Sequence, residues 1–175
     1  VKIGSRQELL NKLFSFDSGW LFRGHTRALW KLESRLERVL AAPGWDSELA
    51  RHSEEYALHE FNSKAHHFIS RDILPTTRLG WLSLMQHHGV PTRLLDFTES
   101  PFIALFFAFD CVSPAQPDDC AVWAIDYRML MKSSVAHLKT AIPGFRYEYV
   151  DVQMKPDEVF DHIDQKSCDI LWVTE

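Results

Sequence analysis

The stretch from Trp81 to Asp110 narrows the choice of folds more than any other part of the chain. Trp81, Leu82, Leu84 and Met85 recur at helical spacing, and Gly89 suits the left-handed position that follows a helix. Val90-Pro91 forces an extended exit, because proline excludes its predecessor from the α region. Thr92 to Phe97 is short and carries β-branched or apolar residues at several positions, so a strand is expected there. Ser100-Pro101 predicts a second helix, with serine as the cap and proline in the first turn. From Pro101 to Phe109 nearly every residue is apolar, and a helix apolar on all faces is normally buried. The expected centre of the fold is therefore helix, strand, helix, with 101–110 as a buried apolar helix.

Gln86, His87, His88, Arg93, Asp96, Thr98 and Glu99 interrupt this apolar frame. Arginine and aspartate are seldom buried without partners. Two readings stand. Polar groups crowded at a strand-to-helix junction satisfy one another, or they line a ligand site at the mouth of the strand.

Nearer the N-terminus, Ser5 to Phe16 is predicted as a helix, with Ser5 and Glu8 at capping-box spacing. Trp20-Leu21-Phe22 reads as a short buried strand running into Arg23-Gly24-His25-Thr26-Arg27. An arginine beside a glycine after a strand suits an anion, since glycine leaves room and the guanidinium donates from two prongs. The alternative is that Arg23 pairs internally with a carboxylate such as Asp96. Residues 32–41 are expected to be helical, and 46–69 to form the longest helix. Asp46 is its expected cap, and Leu49, Ser53, Tyr56, Ala57, Phe61, Ala65 and Phe68 its inward stripe. Further on, 120–127 is predicted as a strand, 128–139 as a helix, 145–153 as a strand, 156–165 as a helix and 169–174 as a last strand.

These elements predict an α+β fold, a mixed sheet of short strands with helices around it. A length of 175 residues suits one domain with a real core. With a net charge of −5, no global basic field draws the chain to nucleic acid or membrane. No apolar run is long enough to span a bilayer, so no membrane association is expected. The three cysteines form no CxxC pair, and their odd number argues against a disulfide framework and for a cytoplasmic location. The chain stops at Glu175 directly after an apolar run, so the single domain 1–175 is expected to be incomplete at its C-terminus.

No P-loop, GxGxxG, GxSxG or HExxH is present. His52, His59 and His66 recur every seven residues, not at the i, i+4 spacing of helical zinc ligands. The pairs His66-His67 and His87-His88 diverge by about 100° on a helix, and no metal is expected. What remains is Arg23 with Arg27 in one place, and Thr92, Arg93, Asp96, Thr98 and Ser100 in another. Such a set suits a phosphate-bearing ligand held by charge-assisted hydrogen bonds, with aromatic residues for stacking.

Phe22-Arg23-Gly24, followed by the run Gln86-His87-His88-Gly89-Val90-Pro91-Thr92-Arg93-Leu94-Leu95-Asp96-Phe97-Thr98 and on through Ser100-Pro101 to Ala108, resembles the FRG domain. That bacterial and phage-associated family is named for its Phe-Arg-Gly triplet. The resemblance covers Trp20 to Asp110 well and the remainder loosely. At the level of fold, it is also similar to ADP-ribosyltransferases of the Arg-Ser-Glu type. This likeness implies that Arg23 holds NAD pyrophosphate, that Thr98 or Ser100 shapes the nicotinamide site, and that a late glutamate stabilises the transition state electrostatically. Glu148, Glu158 and Glu175 are the candidates, and no motif selects among them. The Arg-x-x-Gln-x-Gly-x-Phe-like segment usual near the end of an FRG domain is missing here and would be expected just beyond Leu171–Glu175.

The resemblance implies a nucleotide-binding, ADP-ribosyltransferase-like effector of a bacterial or phage conflict system, with NAD as its ligand. Its expected ligand-binding residues are Arg23, Gly24, Gln86, His88, Arg93, Asp96, Thr98 and Ser100. The alternative is a non-catalytic module that recognises nucleic acid, a nucleotide or a partner protein.

Overall fold

The computed structural model describes residues 1–41, 46–110, 119–141, 143 and 173–174. In chain order the elements are α1 (Arg6–Phe14), β1 (Trp20–His25), α2 (Arg35–Leu40), α3 (Ser47–Ala65), α4 (Arg78–His87), β2 (Leu95–Asp96), α5 (Pro101–Phe109), β3 (Ala121–Asp126), α6 (Tyr127–Ala141) and β4 (Val173–Thr174). The α+β expectation holds. The predicted strand 145–153 and helix 156–165 lie outside the described residues. The described chain groups into two compact units, one from Val1–Lys31 and from Asp96 through α6, the other from Leu32–Leu95 with β4.

In the first unit, β1 and β3 pair antiparallel, with Arg23 opposite Trp123 and His25 opposite Ala121. The ladder with defined register is thus antiparallel where a mixed sheet was expected. Phe22 also exchanges both backbone hydrogen bonds with Thr98, at 2.7 and 2.9 Å. A strand has two hydrogen-bonding edges, so β1 runs centrally between β3 and the Thr98 segment. Helix α5 crosses close to β1. A Cβ added to Gly24 would lie 1.9 Å from the Ala104 carbonyl oxygen and 2.6 Å from the Ala108 nitrogen. Only glycine permits that approach. Leu13, Leu21, Phe22, Phe97, Ala104, Ala108, Val135 and Leu138 are buried here.

This close approach corrects the reading of 101–110 as buried all round. The helix forms as predicted, with the Ser100 hydroxyl accepting the Ile103 N–H and Pro101 at its first turn. Yet the small Ala104 and Ala108, four apart, take the buried stripe, while Phe102, Ile103, Phe106, Phe107 and Phe109 are exposed, Phe106 by 62%. A backbone-to-backbone contact selects the alanines and turns the large side chains away.

In the second unit, α2 starts at Arg35 because Ser34 and Glu37 form a reciprocal capping box. Asp46 caps α3 as predicted, accepting the Leu49 N–H at 2.6 Å. The inward stripe of α3 is predicted in part. Ala57, Phe61 and Ala65 face inward as expected, whereas Leu49, Tyr56 and Phe68 are exposed and Ala50 and Glu54 are buried instead. Helix α4 ends in a Schellman motif. Gly89, at φ +80°, donates to Gln86 O, and Val90 donates to Met85 O, both at 2.9 Å. That exit carries Val90 back onto a core of Leu82, Met85 and Leu94, joined by Ala57, Leu58, Phe61 and Leu79. Each fully buried leucine or methionine stabilises by about 1.5–3 kcal/mol relative to exposure.

The strand expected over Thr92–Phe97 shrinks to Leu95–Asp96, which pairs with β4. Side chains take the backbone donors of the preceding residues. Arg93 N donates to Glu54 Oε1 at 2.9 Å and Leu94 N to Thr92 Oγ1 at 3.3 Å. A backbone N–H spent this way cannot join a ladder.

Candidate functional site

The first unit assembles a polar and aromatic face on β1 and β3. Side chains two apart on a strand share a face, so Arg23 and His25 stand together, opposite the side on which Gly24 meets α5. Arg23 Nη1 donates to the Asp96 backbone oxygen at 2.6 Å, and Arg23 Nε faces His25 Nε2 at 3.3 Å. The recorded contact with Asp96 is thus to its carbonyl, while its side chain is exposed. From β3, the indole Nε1 of Trp123 donates to His25 Nδ1 at 3.1 Å. The Trp123 and Trp30 rings each lie 6.1 Å from the His25 ring. His25 is 7% exposed and Trp30 50%, so the face runs from a buried imidazole to a half-exposed aromatic surface.

Five of the eight sequence-predicted residues belong to this unit. Arg23 and Asp96 touch. Gly24 provides the close helix approach. Thr98 pairs with β1, and its hydroxyl accepts the Ser100 N–H at 3.1 Å. The Ser100 hydroxyl caps α5. Both hydroxyls therefore accept from backbone, and toward a ligand each has its O–H to donate.

Gln86, His88 and Arg93 lie in the second unit. Gln86 Oε1 accepts the hydroxyl proton of the fully buried Thr92 at 2.5 Å. His88 is the exposed C-cap of α4, its ring 5.9 Å from that of Phe61. Arg93 is engaged by Glu54. Its Nε donates to Glu54 Oε2 at 2.6 Å, its Nη2 pairs with the same oxygen, and its backbone N–H binds Oε1. Glu54 is 0% exposed and the Arg93 side chain 14%. Arg93 thus forms a buried ion pair with Glu54.

Three residues that contact or brace the predicted ones escaped the sequence reading. His25 was legible in principle, since the alternation of β1 places it on the face of Arg23. Trp123 and Glu54 were not, because nothing local marks which indole or which of the many acids finds a partner far along the chain. Among the described residues, no three of His, Cys, Asp and Glu gather as a metal site. No helix there is long and apolar enough to cross a membrane. Glu148, Glu158 and Glu175 fall outside the described residues.

Each letter of Phe22-Arg23-Gly24 now has a physical role. Phe22 fills the core and binds Thr98, Arg23 braces the Asp96 carbonyl, and Gly24 admits α5. No curated protein and no solved structure matches the chain. The model of the FRG domain matches residues 18–117, more than half of the chain, and this protein belongs to the FRG domain family.

Proposed function

We propose that this FRG domain binds a phosphate-bearing nucleotide, NAD foremost, on the Arg23 face of β1 and β3, as an ADP-ribosyltransferase-like effector of a bacterial or phage conflict system. One observation carries the reading. A guanidinium fixed on a central strand stands beside a buried imidazole and within a face that ends in a half-exposed tryptophan. Guanidinium matches the paired oxygens of a pyrophosphate, and an indole offers a stacking surface to a base. Thr98 and Ser100 have hydroxyl protons for a neighbouring amide or ribose. Arg93, Gln86 and Glu54 brace the second unit. The glutamate that a transferase needs would come from Glu148, Glu158 or Glu175.

Calorimetric titration of the chain and its Arg23→Ala variant with NAD tests this. Binding by the parent that is lost in a still-folded variant supports the reading. Equal binding by both removes Arg23 from the site, and no binding by either removes NAD. The second reading, a non-catalytic module that recognises a partner protein, is favoured by the exposed Phe102, Ile103, Phe106, Phe107 and Phe109 of α5.

A further inference from the structure

Helix α5 turns its two alanines inward and its bulk outward. Phe102, Phe106 and Phe109, four and three apart, stand opposite the buried Ala104 and Ala108, and Ile103 and Phe107 extend that face along one flank. All five are between 45% and 62% exposed. Phe14 of α1, 71% exposed, joins them through a ring contact of 5.5 Å with Phe102. The Phe106 and Phe107 rings also lie 5.5 Å apart. These six side chains adjoin one another, unlike the single exposed apolar residues that any surface carries.

The size and chemistry of the face point to its occupant. A phenylalanine carries about 150–250 Å² of surface, so these exposures leave about 600 Å² of apolar area, the upper end of what the largest patch on an ordinary monomer shows. One such face set against another removes about 1,200 Å² from water, above the roughly 1,000 Å² that a specific interface needs. From Pro101 to Phe109 there is no charged or hydrogen-bonding side chain. The face therefore offers an unlike partner no charge to complement and no donor to read, whereas it complements itself. A two-fold axis through the middle of α5 sets two copies of the helix antiparallel, ring against ring, and closes the assembly at two chains. We infer that this chain forms a two-fold dimer through the outer face of α5, with Phe106 meeting its own equivalent at the axis. Arg23 and His25 stand on the other side of β1 from α5, so the dimer leaves them open. The inference holds whether or not a nucleotide binds there.

Sedimentation equilibrium of the full chain tests it. Between about 1 and 200 µM, where a contact of this size is expected to dissociate, the mass should rise from one chain to two and no further. Phe106→Glu sets two carboxylates against each other at a dry axis, and should weaken association at least about a hundredfold, as loss of a central aromatic anchor does. Phe106→Leu keeps the face apolar and should associate within about tenfold of the parent. Circular dichroism checks that both variants fold. A parent that stays monomeric throughout the range overturns the inference, and so does a Phe106→Glu that dimerises as the parent does. Mass that grows beyond two chains overturns the two-fold closure. A Phe106→Glu that no longer folds would show that the chain itself covers Phe106, which overturns the inference as well. A dimer lost in a folded Phe106→Glu confirms it, and takes this face away from the partner-recognition reading.

Discussion

Glu54 and Arg93 form a buried ion pair whose removal can be forecast in parts. The carboxylate accepts three N–H groups, the Arg93 backbone amide on Oε1 and two guanidinium nitrogens on Oε2. Arg93→Met leaves a fully buried carboxylate with the amide alone, and stranding one member of such a pair costs about 3–5 kcal/mol. Glu54→Leu takes the buried carboxylate from the guanidinium and also orphans the Arg93 amide, the latter costing about 1–3 kcal/mol. The double variant Glu54→Gln with Arg93→Met removes both charges and keeps an acceptor for the amide. Only part of a glutamine amide then lacks a partner, at about 1–3 kcal/mol. The double variant should therefore be more stable than Arg93→Met alone. Urea melts read this directly. With a slope of about 2 kcal/mol per molar, a loss of about 4 kcal/mol lowers the midpoint by about 2 M. Circular dichroism and tryptophan fluorescence must give coincident transitions for the comparison to hold. If the double variant loses as much as Arg93→Met alone, or if Arg93→Met or Glu54→Leu loses under about 1 kcal/mol, the pair is not the brace described here.

Two further predictions concern backbone packing and surface charge. Gly24→Ala forces a methyl group into the Ala104 and Ala108 backbone of α5, so thermal melts should show a loss of about 3 kcal/mol or more. A near-neutral result would mean that α5 lies further from β1. The Lys64 ammonium, 2.5 Å from the Glu60 carboxylate, holds that carboxyl below the ordinary glutamate value through hydrogen bonding and charge attraction, and Lys64 is raised in return. The pair's contribution is present between the ordinary values. It fades as pH falls through the lowered Glu60 value and as pH rises through the raised Lys64 value. An NMR titration of Glu60 in Lys64→Ala should therefore move upward, and an unchanged midpoint would refute the pairing.

Local chemistry was legible before any tertiary structure. Ser5, Asp46 and Ser100 cap their helices through bonds spanning three residues, and Gly89 ends α4 through bonds spanning three to five. These depend on neighbours in sequence, so their patterns are written there. The Arg23-Gly24 pair was expected at the end of a short strand, and it lies within β1. The predicted strand after Pro91 was cut short because Glu54, 39 positions earlier, took its amide proton. The inward face of α3 was anticipated at Ala57, Phe61 and Ala65 but not at Glu54, since an acid with a buried arginine partner sits where apolarity alone would not place it.

Helix α5 shows the limit most plainly. Its composition announces burial on every side, yet the residues that go inside are its two smallest. That choice is made by Gly24, some eighty positions earlier, which lets one backbone lie against another. Arg23 reaches Asp96 across 73 positions, and His25 reaches Trp123 across 98. By itself the sequence determined the described helices, the caps at Ser5, Asp46 and Ser100, and the FRG family. The tertiary structure decided which residues share a face, which pair as braces, and which indole reaches His25. Hydrogen bonds and packing act over a few ångströms in space, and distance along the chain does not record them.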